Sequence, residues 1–554
     1  MYHILHDHPE QTLIERLFHI RNISDSLEDF LNPSFQRYRT PRQLFDDATL
    51  AAGRVMQAIK NQEKIMIFGD YDADGIMSSF VLYTFFRDHI GYHNISLRLP
   101  HRVRDGYGIK IHHLDEIKTT GATLVITVDN GITAVEEAKH AKAIGIDLII
   151  TDHHKPLAVT PDAFACINPQ CTPEHTFKEI CGAVVASKFC LAIADQSGRT
   201  KERKYQRVMA MIPYLAIATV ADCMPLIGEN RLIVKTGLDL MSNHKNTLHP
   251  PLRAFLNHLN LDKVDTFQIG FVIAPRLNAT GRVGHALDGL KALLTKDPEK
   301  QQYFLDHMDT LNTERKKIQE GMIQETEAAL DHDQPLIRAA SEQFHEGIVG
   351  IVAGRVTEKY NKPSLIMSVN AEEGVAMGSL RGPERFNIVE MLKTADVHLL
   401  RYGGHAQAGG VTLTLENLDN AIACFMEYCL THPAPDETKT TICVDTAIYE
   451  HEMVRSSLKD IPTFGPYGEA NPEPLFVLEN TVITNVSTVG KNGSGHLKLQ
   501  GKKDETPFTS MQRGKGDTAG SIIKDTPVHL IGRVKEDTFN GGWYLDMKHI
   551  IANT

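Results

Sequence analysis

Three carboxylates at alternate positions, Asp70, Asp72 and Asp74, follow a short apolar run at 65–68 and precede Gly75. Acids this close repel one another, and a proton or a cation relieves the repulsion. Hard divalent ions take oxygen ligands, so the stretch is a candidate metal centre; it also reads as an acidic turn capping the helix that follows. Groups of the same kind recur downstream: Asp129 in VDNG, Asp152-His153-His154 in TDHH, and Asp222 in VADCMP. Five of them, Asp72, Asp74, Asp129, His153 and Asp222, form a set suited to two divalent ions sharing a carboxylate. That arrangement clamps an in-line displacement at phosphorus.

Such a set needs elements that bring its members together. Apolar runs at 65–68, 94–99, 123–128 and 147–150 alternate with helical patterns, which predicts an α/β fold with a parallel, doubly wound sheet. Three of these runs end in acids or histidines, and the carboxyl ends of parallel strands share one edge. Upstream, Thr40-Pro41 opens an apparent capped helix leading into the first strand. Residues 230–330 are helical in pattern, with a long charged helix from Leu311. Within them Arg276, Asn278 and Arg282 alternate with small residues, which predicts a loop gripping phosphates. A second α/β domain begins near 335. Its GGHAQAGG segment sets His405 between glycines, open either to anion binding or to simple turn geometry. A Pro-rich linker at 431–438 precedes short alternating strands that predict a small β-barrel. Lys491, Lys498, Lys502, Lys503, Arg513 and Lys515, with His496 and Phe508, give that barrel either a single-strand-binding face or a solubilising one.

At 554 residues the chain exceeds one core and predicts several domains. A net charge of −11 does not exclude nucleic acid, because the acidic centre supplies part of it and binding needs only a local basic groove. The eight cysteines contain no C-x-x-C pair, which predicts reduced thiols and a cytoplasmic setting. No run is long enough to span a bilayer, and the first residues do not read as a signal peptide.

GDYDADG, VDNGIT, TDHH and VADCMPL resemble the four phosphoesterase motifs of the DHH superfamily, in order. APRLNATGR, LNTERKKIQ, GIVGIVAGR, SLRG, GGHAQAGG and FGPYGEANPEPLF extend the resemblance to the RecJ-type single-stranded-DNA-specific exonucleases, over about 40–550. The resemblance implies a pair of Mn2+ or Mg2+ ions on Asp72, Asp74, Asp129, His153 and Asp222. Asp129 would bridge, Asp70 would be an outer or additional ligand, and His154 would touch the scissile phosphate. Where some members have a further histidine ligand, this chain has Phe68. Arg102 and Tyr107 would contact the strand near its 5′ end, and Arg276, Asn278, Arg282, Ser379, Arg381 and His405 would bind phosphates. The implied layout is an N-terminal segment (1–45), a DHH phosphoesterase domain (46–230), a helical connector (231–332), a DHH-associated domain (333–432) and an OB-like barrel (439–554). The implied activity is 5′→3′ release of mononucleotides from single-stranded DNA in repair and recombination, by a monomer aided by a single-stranded-DNA-binding protein and a RecQ-type helicase. The competing expectation is a DHH phosphodiesterase acting on short oligonucleotides or cyclic dinucleotides.

Overall fold

The computed structural model describes residues 1–35, 38, 40–41, 45–172, 177–197, 201–432, 441–453, 458–490, 495–522, 524–537 and 541–552, apart from the side chains of 201–205 and 208. The chain divides into two compact units: 41–222 with 241–437, and 1–40 with 223–240 and 438–554.

The larger unit holds two sheets. The first contains β1 (Lys64–Phe68), β2 (Ile95–Arg98), β3 (Ala122–Val128), β4 (Asp147–Thr151) and β5 (Ala165–Ile167), all parallel, in the order β2-β1-β3-β4-β5. Its central strands are buried along nearly their whole length, as near-continuous apolar runs require. Helix α1 (Ala73–Thr84) follows β1, and α2 (Gly182–Gln196) and α3 (Lys201–Ala221) pack against it. Helices α4 (Ala274–Val283) and α5 (Pro298–Ala328) then lead to the second sheet. That sheet comprises β6 (Ile337–Ser341), β7 (Ser364–Asn370), β8 (Val375–Arg381), β9 (Arg401–His405) and β10 (Ala408–Thr414), ordered β9-β10-β8-β7-β6, with α6 (Val349–Tyr360) packed on β7 and β8.

The smaller unit is the barrel: β11 (Phe476–Val489), β12 (His496–Lys503), β13 (Thr506–Gln512), β14 (Pro527–Glu536) and β15 (Trp543–Ala552), closed where β11 pairs with β14. Segments distant in sequence complete it. Tyr2–Ile4 pairs in parallel with Ile442–Val444, and the buried Arg16 guanidinium pairs with Glu452 (2.7 Å) and donates to Thr446 Oγ1 (2.9 Å). Arg231 caps the carbonyl of Phe30 (2.7 Å).

Several expectations need correction. The helix expected from Thr40 spans Ala48–Lys60; residues 42–44 lie outside the described residues, and the Asp47 carboxylate accepts the Cys166 N–H (2.8 Å) instead of capping. The supposed loop with Arg276, Asn278 and Arg282 is helix α4, because Pro275 sits in its first turn and Leu277, Ala279 and Thr280 turn into the core. The glycine-rich GGHAQAGG is a β9–β10 hairpin in which Gly403 and Gly404 pair with Gly410 and Gly409. Phe508 points into the barrel core and is not a surface aromatic. The linker at 433–438 and Lys491 lie outside the described residues.

Phe68 packs on His113, ring centroids 5.0 Å apart, so this side chain fills core. His113 is fully buried, its Nδ1 accepts the Lys110 N–H (3.1 Å), and its Nε2 makes no hydrogen bond but lies 3.8 Å from Asp105 Oδ2. Burial, with His112 and Arg98 beside it, lowers its pKa to about 4. The unfolded chain, with a histidine pKa near 6.5, then binds the proton more readily, so this stability is present above about pH 6.5 and is lost as pH falls toward 4. His113→Asn keeps an acceptor for Lys110. Its thermal midpoint is expected to fall less steeply than that of the wild type between pH 7 and 5; parallel slopes would contradict the assignment.

Candidate active site

The acids meet because β1, β3 and β4 are parallel neighbours whose following loops converge on one edge. Two groups form. Asp70, Asp72 and Asp129 each place a carboxylate oxygen within 4.8 Å of the others, and Asp74, His153 and Asp222 do the same with their ligand atoms. The groups touch at His153, whose Nε2 lies 3.1 Å from Asp129 Oδ1, 3.5 Å from Asp222 Oδ2 and 3.7 Å from Asp74 Oδ2.

The electrostatics are those of an unneutralised cluster. Burial first, then neighbouring carboxylates, pushes Asp70, Asp129 and Asp222 well above the usual carboxylate range. Burial raises Asp74 too, with His153 opposing, and burial lowers His153. Asp70 Oδ1, Asp129 Oδ1, Asp222 Oδ2 and His153 Nε2 are buried and make no hydrogen bond. Buried polar atoms are rarely left so, and four of them, three carboxylate oxygens and one imidazole nitrogen, fit a pair of divalent cations.

The surroundings fix each side chain. Asp72 caps α1, its Oδ1 accepting the Gly75 N–H (3.0 Å), so the capping reading of the sequence also holds. Asp74 is held from the far side by the start of α2: Oδ2 accepts the Gly182 N–H (2.6 Å) and Oδ1 the Ala183 N–H (2.9 Å). Positive potential at a helix N-terminus favours the carboxylate there. Gly182 leaves no spare room: a β-carbon on it would stand 2.7 Å from Asp129 Cβ and Oδ1. Asp129 itself has a left-handed backbone (φ 62°), which Asp and Asn tolerate better than most residues.

Asp152, the acid of TDHH, has a role that its motif does not reveal. It is fully buried, and its Oδ1 accepts from the backbones of His153 (2.7 Å) and His154 (3.2 Å) and pairs with His154 Nδ1 (2.8 Å), while Oδ2 accepts the Ile132 N–H (2.9 Å). Burial works against a cationic His154, but Asp152 and the nearby acids raise it to about 9. Tyr107, expected on the DNA strand, donates to the Asp129 carbonyl (3.2 Å) and lies 3.1 Å from His154 Nδ1. The signals for these contacts in the sequence were slight: the small pair Gly182-Ala183 opening an apolar helix, and a third acid within TDHH.

The expected phosphate-binding residues divide. Arg102 lies over the Tyr71 ring (4.6 Å), and Arg282, its Nη1 on the Gly347 carbonyl (3.0 Å), is lowered by burial and then by Arg102. Burial and Arg102 likewise lower Arg381. Three guanidiniums thus share a field that an anion would relieve. Ser379 is buried beside Arg381, both facing Gly350, where a β-carbon would stand 3.5 Å from Ser379 Oγ and 3.3 Å from Arg381 Nη2. His405 is exposed at the hairpin. Two others are engaged elsewhere: Arg276 pairs with Asp309, and Asn278 Oδ1 accepts the Ala73 N–H (2.8 Å), bracing the first turn of α1. On the barrel, Lys503 donates to the Glu479 carbonyl (2.8 Å), while Lys502, 3.5 Å from Glu505, and Lys498 lie along β12.

Three family models match the chain: the DHH family N-terminal domain over 64–219, the DHHA1 domain over 333–430 and the RecJ OB domain over 444–549. The chain is 32% identical over 496 residues to the single-stranded-DNA-specific exonuclease RecJ of Bacillus subtilis, covering 88% of this chain but only 61% of that protein. It is 31% identical to the Salmonella typhimurium protein of the same name, covering 84% of this chain and 82% of that one. A crystal structure of exonuclease RecJ bound to manganese superposes with a TM-score of 0.61 at 28% identity, covering 72% of this chain and 97% of that one. With the DHH motifs gathered at one sheet edge and all three domain types present in order, the chain belongs to the RecJ family of the DHH superfamily.

Proposed function

We propose that this protein is a single-stranded-DNA-specific exonuclease that hydrolyses phosphodiester bonds with two divalent ions and releases mononucleotides from the 5′ end. The observation that carries the reading is the pair of interlocked acid groups with four orphaned buried ligand atoms. Asp72, Asp74, Asp129, His153 and Asp222 would hold the ions, with Asp70 able to add an oxygen where Phe68 offers none. Bound manganese or magnesium neutralises phosphate charge and activates water for in-line attack.

The chain's own groups do the rest. The start of α2 fixes Asp74, and Asp152 holds the His154 ring through Nδ1, leaving Nε2 to donate to a phosphate oxygen. Arg102, Arg282 and Arg381, with Ser379 and His405, take the neighbouring phosphates. Arg276 and Asn278 act behind them, through Asp309 and α1, and Tyr107 orients His154 and the Asp129 backbone. Lys498, Lys502 and Lys503 line the barrel's DNA face. In this division, 46–230 carries catalysis, 231–332 connects, 333–432 grips the strand and 439–554 binds it. The same reading has the protein act as a cytoplasmic monomer in repair and recombination, on strands supplied by a single-stranded-DNA-binding protein and a RecQ-type helicase.

The test is digestion of single-stranded DNA labelled at either end, with manganese, magnesium or chelator, beside a blunt duplex and a cyclic dinucleotide. Metal-dependent mononucleotide release from the 5′ end of the single strand alone is expected. Turnover of the dinucleotide with the strand untouched would refute the reading. Asp152→Asn removes the charge that raises His154, so the alkaline limb of the pH–activity profile is expected to move down from about 9. Activity at pH 8 should fall about 10²-fold; an unmoved limb would exclude a cationic His154.

A further inference from the structure

The barrel carries an open cavity of about 610 Å³ whose walls suit a flat aromatic ligand. Trp543, the only tryptophan in the chain, forms one side. Its indole Nε1 donates to the Met453 carbonyl (3.2 Å), so the ring is fixed before any ligand arrives. Pro507 adds a second flat apolar surface. The bare backbone of Gly501 lets the Phe508 ring sit close beneath, since a β-carbon there would stand 2.9 Å from Phe508 Cζ. Gly541 and Gly542, both with left-handed backbones, line the remaining edge and add no side chain of their own.

The polar groups are equally selective. Asn485 Nδ2 donates to Gln500 Oε1 (3.0 Å), a pairing that leaves Asn485 Oδ1 as an acceptor and the Gln500 amino group as a donor for a ligand edge. Lys502 stands at the rim with an exposed, weakly held ammonium; its separation from Glu505 is 3.5 Å and both side chains are largely in water. A fixed indole, an amide donor–acceptor pair and a cation at the rim are complementary to a base, its hydrogen-bonding edge and the adjoining phosphate.

We infer that this cavity is a nucleobase subsite, in which one base of the bound single strand stacks on Trp543 while Lys502 meets the neighbouring phosphate. The inference rests on the single-strand-binding reading of the protein and adds to it that the barrel holds bases as well as backbone charge.

Because Trp543 is the only indole, its emission reports the site directly in the full chain. The experiment adds oligothymidylate, or an abasic deoxyribose-phosphate chain of equal length and charge, with chelator present so that no strand is cut; binding is followed in parallel by anisotropy of a labelled strand. Oligothymidylate is expected to lower the emission roughly by half and the abasic chain to leave it nearly unchanged. Trp543→Ala is expected to weaken oligothymidylate binding about tenfold. Equal quenching by both chains, bound thymidylate without quenching, or no binding would each overturn the subsite, and the wild-type measurement stands even if the variant does not fold. Strand cutting with manganese, assayed on the same preparation, tests the nuclease reading separately: its loss would refute that reading while the thymidylate–abasic comparison still decides the cavity.

Discussion

Asp129→Asn is expected to lose at least ~10³-fold in nuclease activity, together with the rise in melting temperature that manganese is expected to give the wild type. Asparagine keeps the shape and tolerates the left-handed backbone at this position, so the change is nearly a pure loss of charge. Without metal the two proteins should order the other way. Burial, then Asp74, Asp72, Asp70 and Asp222, raises Asp129 well above its unfolded value. A carboxyl raised in this way carries a stability cost that grows as pH climbs from about 4 toward the raised value. Asp129→Asn removes it, so in chelator at pH 8 the variant should melt at or above the wild type. A variant that is inactive but still gains stability from manganese would show that Asp129 is not at the ion pair.

The second large effect is expected from a residue with no side chain. Gly182→Ala would place a methyl group 2.7 Å from Asp129 Cβ and Oδ1, and the backbone that must move to avoid the clash is the one donating to Asp74. Overpacking of this kind costs about 1–3 kcal/mol, here borne by two acids of the site at once. Turnover should drop about 10²-fold, with KM for single-stranded DNA little changed, because the phosphate-binding arginines lie on other elements. Wild-type turnover in Gly182→Ala would mean that the start of α2 does not set the geometry of the acids.

What could be read from the sequence was whatever local pattern decides. The apolar runs before Asp70, Asp129 and Asp152 had to be buried parallel strands, and parallel strands bring their carboxyl ends together, so the acid set followed from positions alone. Residues whose role depends on a distant partner were out of reach. Asp74 meets Gly182 across 108 positions, and Ala73 meets Asn278 across 205. Arg276 looked like a loop cation because its small neighbours hid a helical face, and Asp309, which neutralises it, lies a helix away. Phe508 was read outward because strand alternation gives two faces without saying which is the core. The closing pair β11–β14 decides that.

The parallel pairing of Tyr2–Ile4 with Ile442–Val444 has a temporal consequence. A ribosome adding about 5–20 residues per second needs roughly 20–90 s to travel from the first strand to its partner. Throughout that interval the early strand has an open edge, and Arg16 has neither Glu452 nor Thr446 to meet it. The first sheet of the larger unit, whose strands all fall between 64 and 167, can form long before. Residues 2–16 are therefore among the last to find their place, and a nascent chain halted before residue 440 should expose them to protease while 64–222 is already protected.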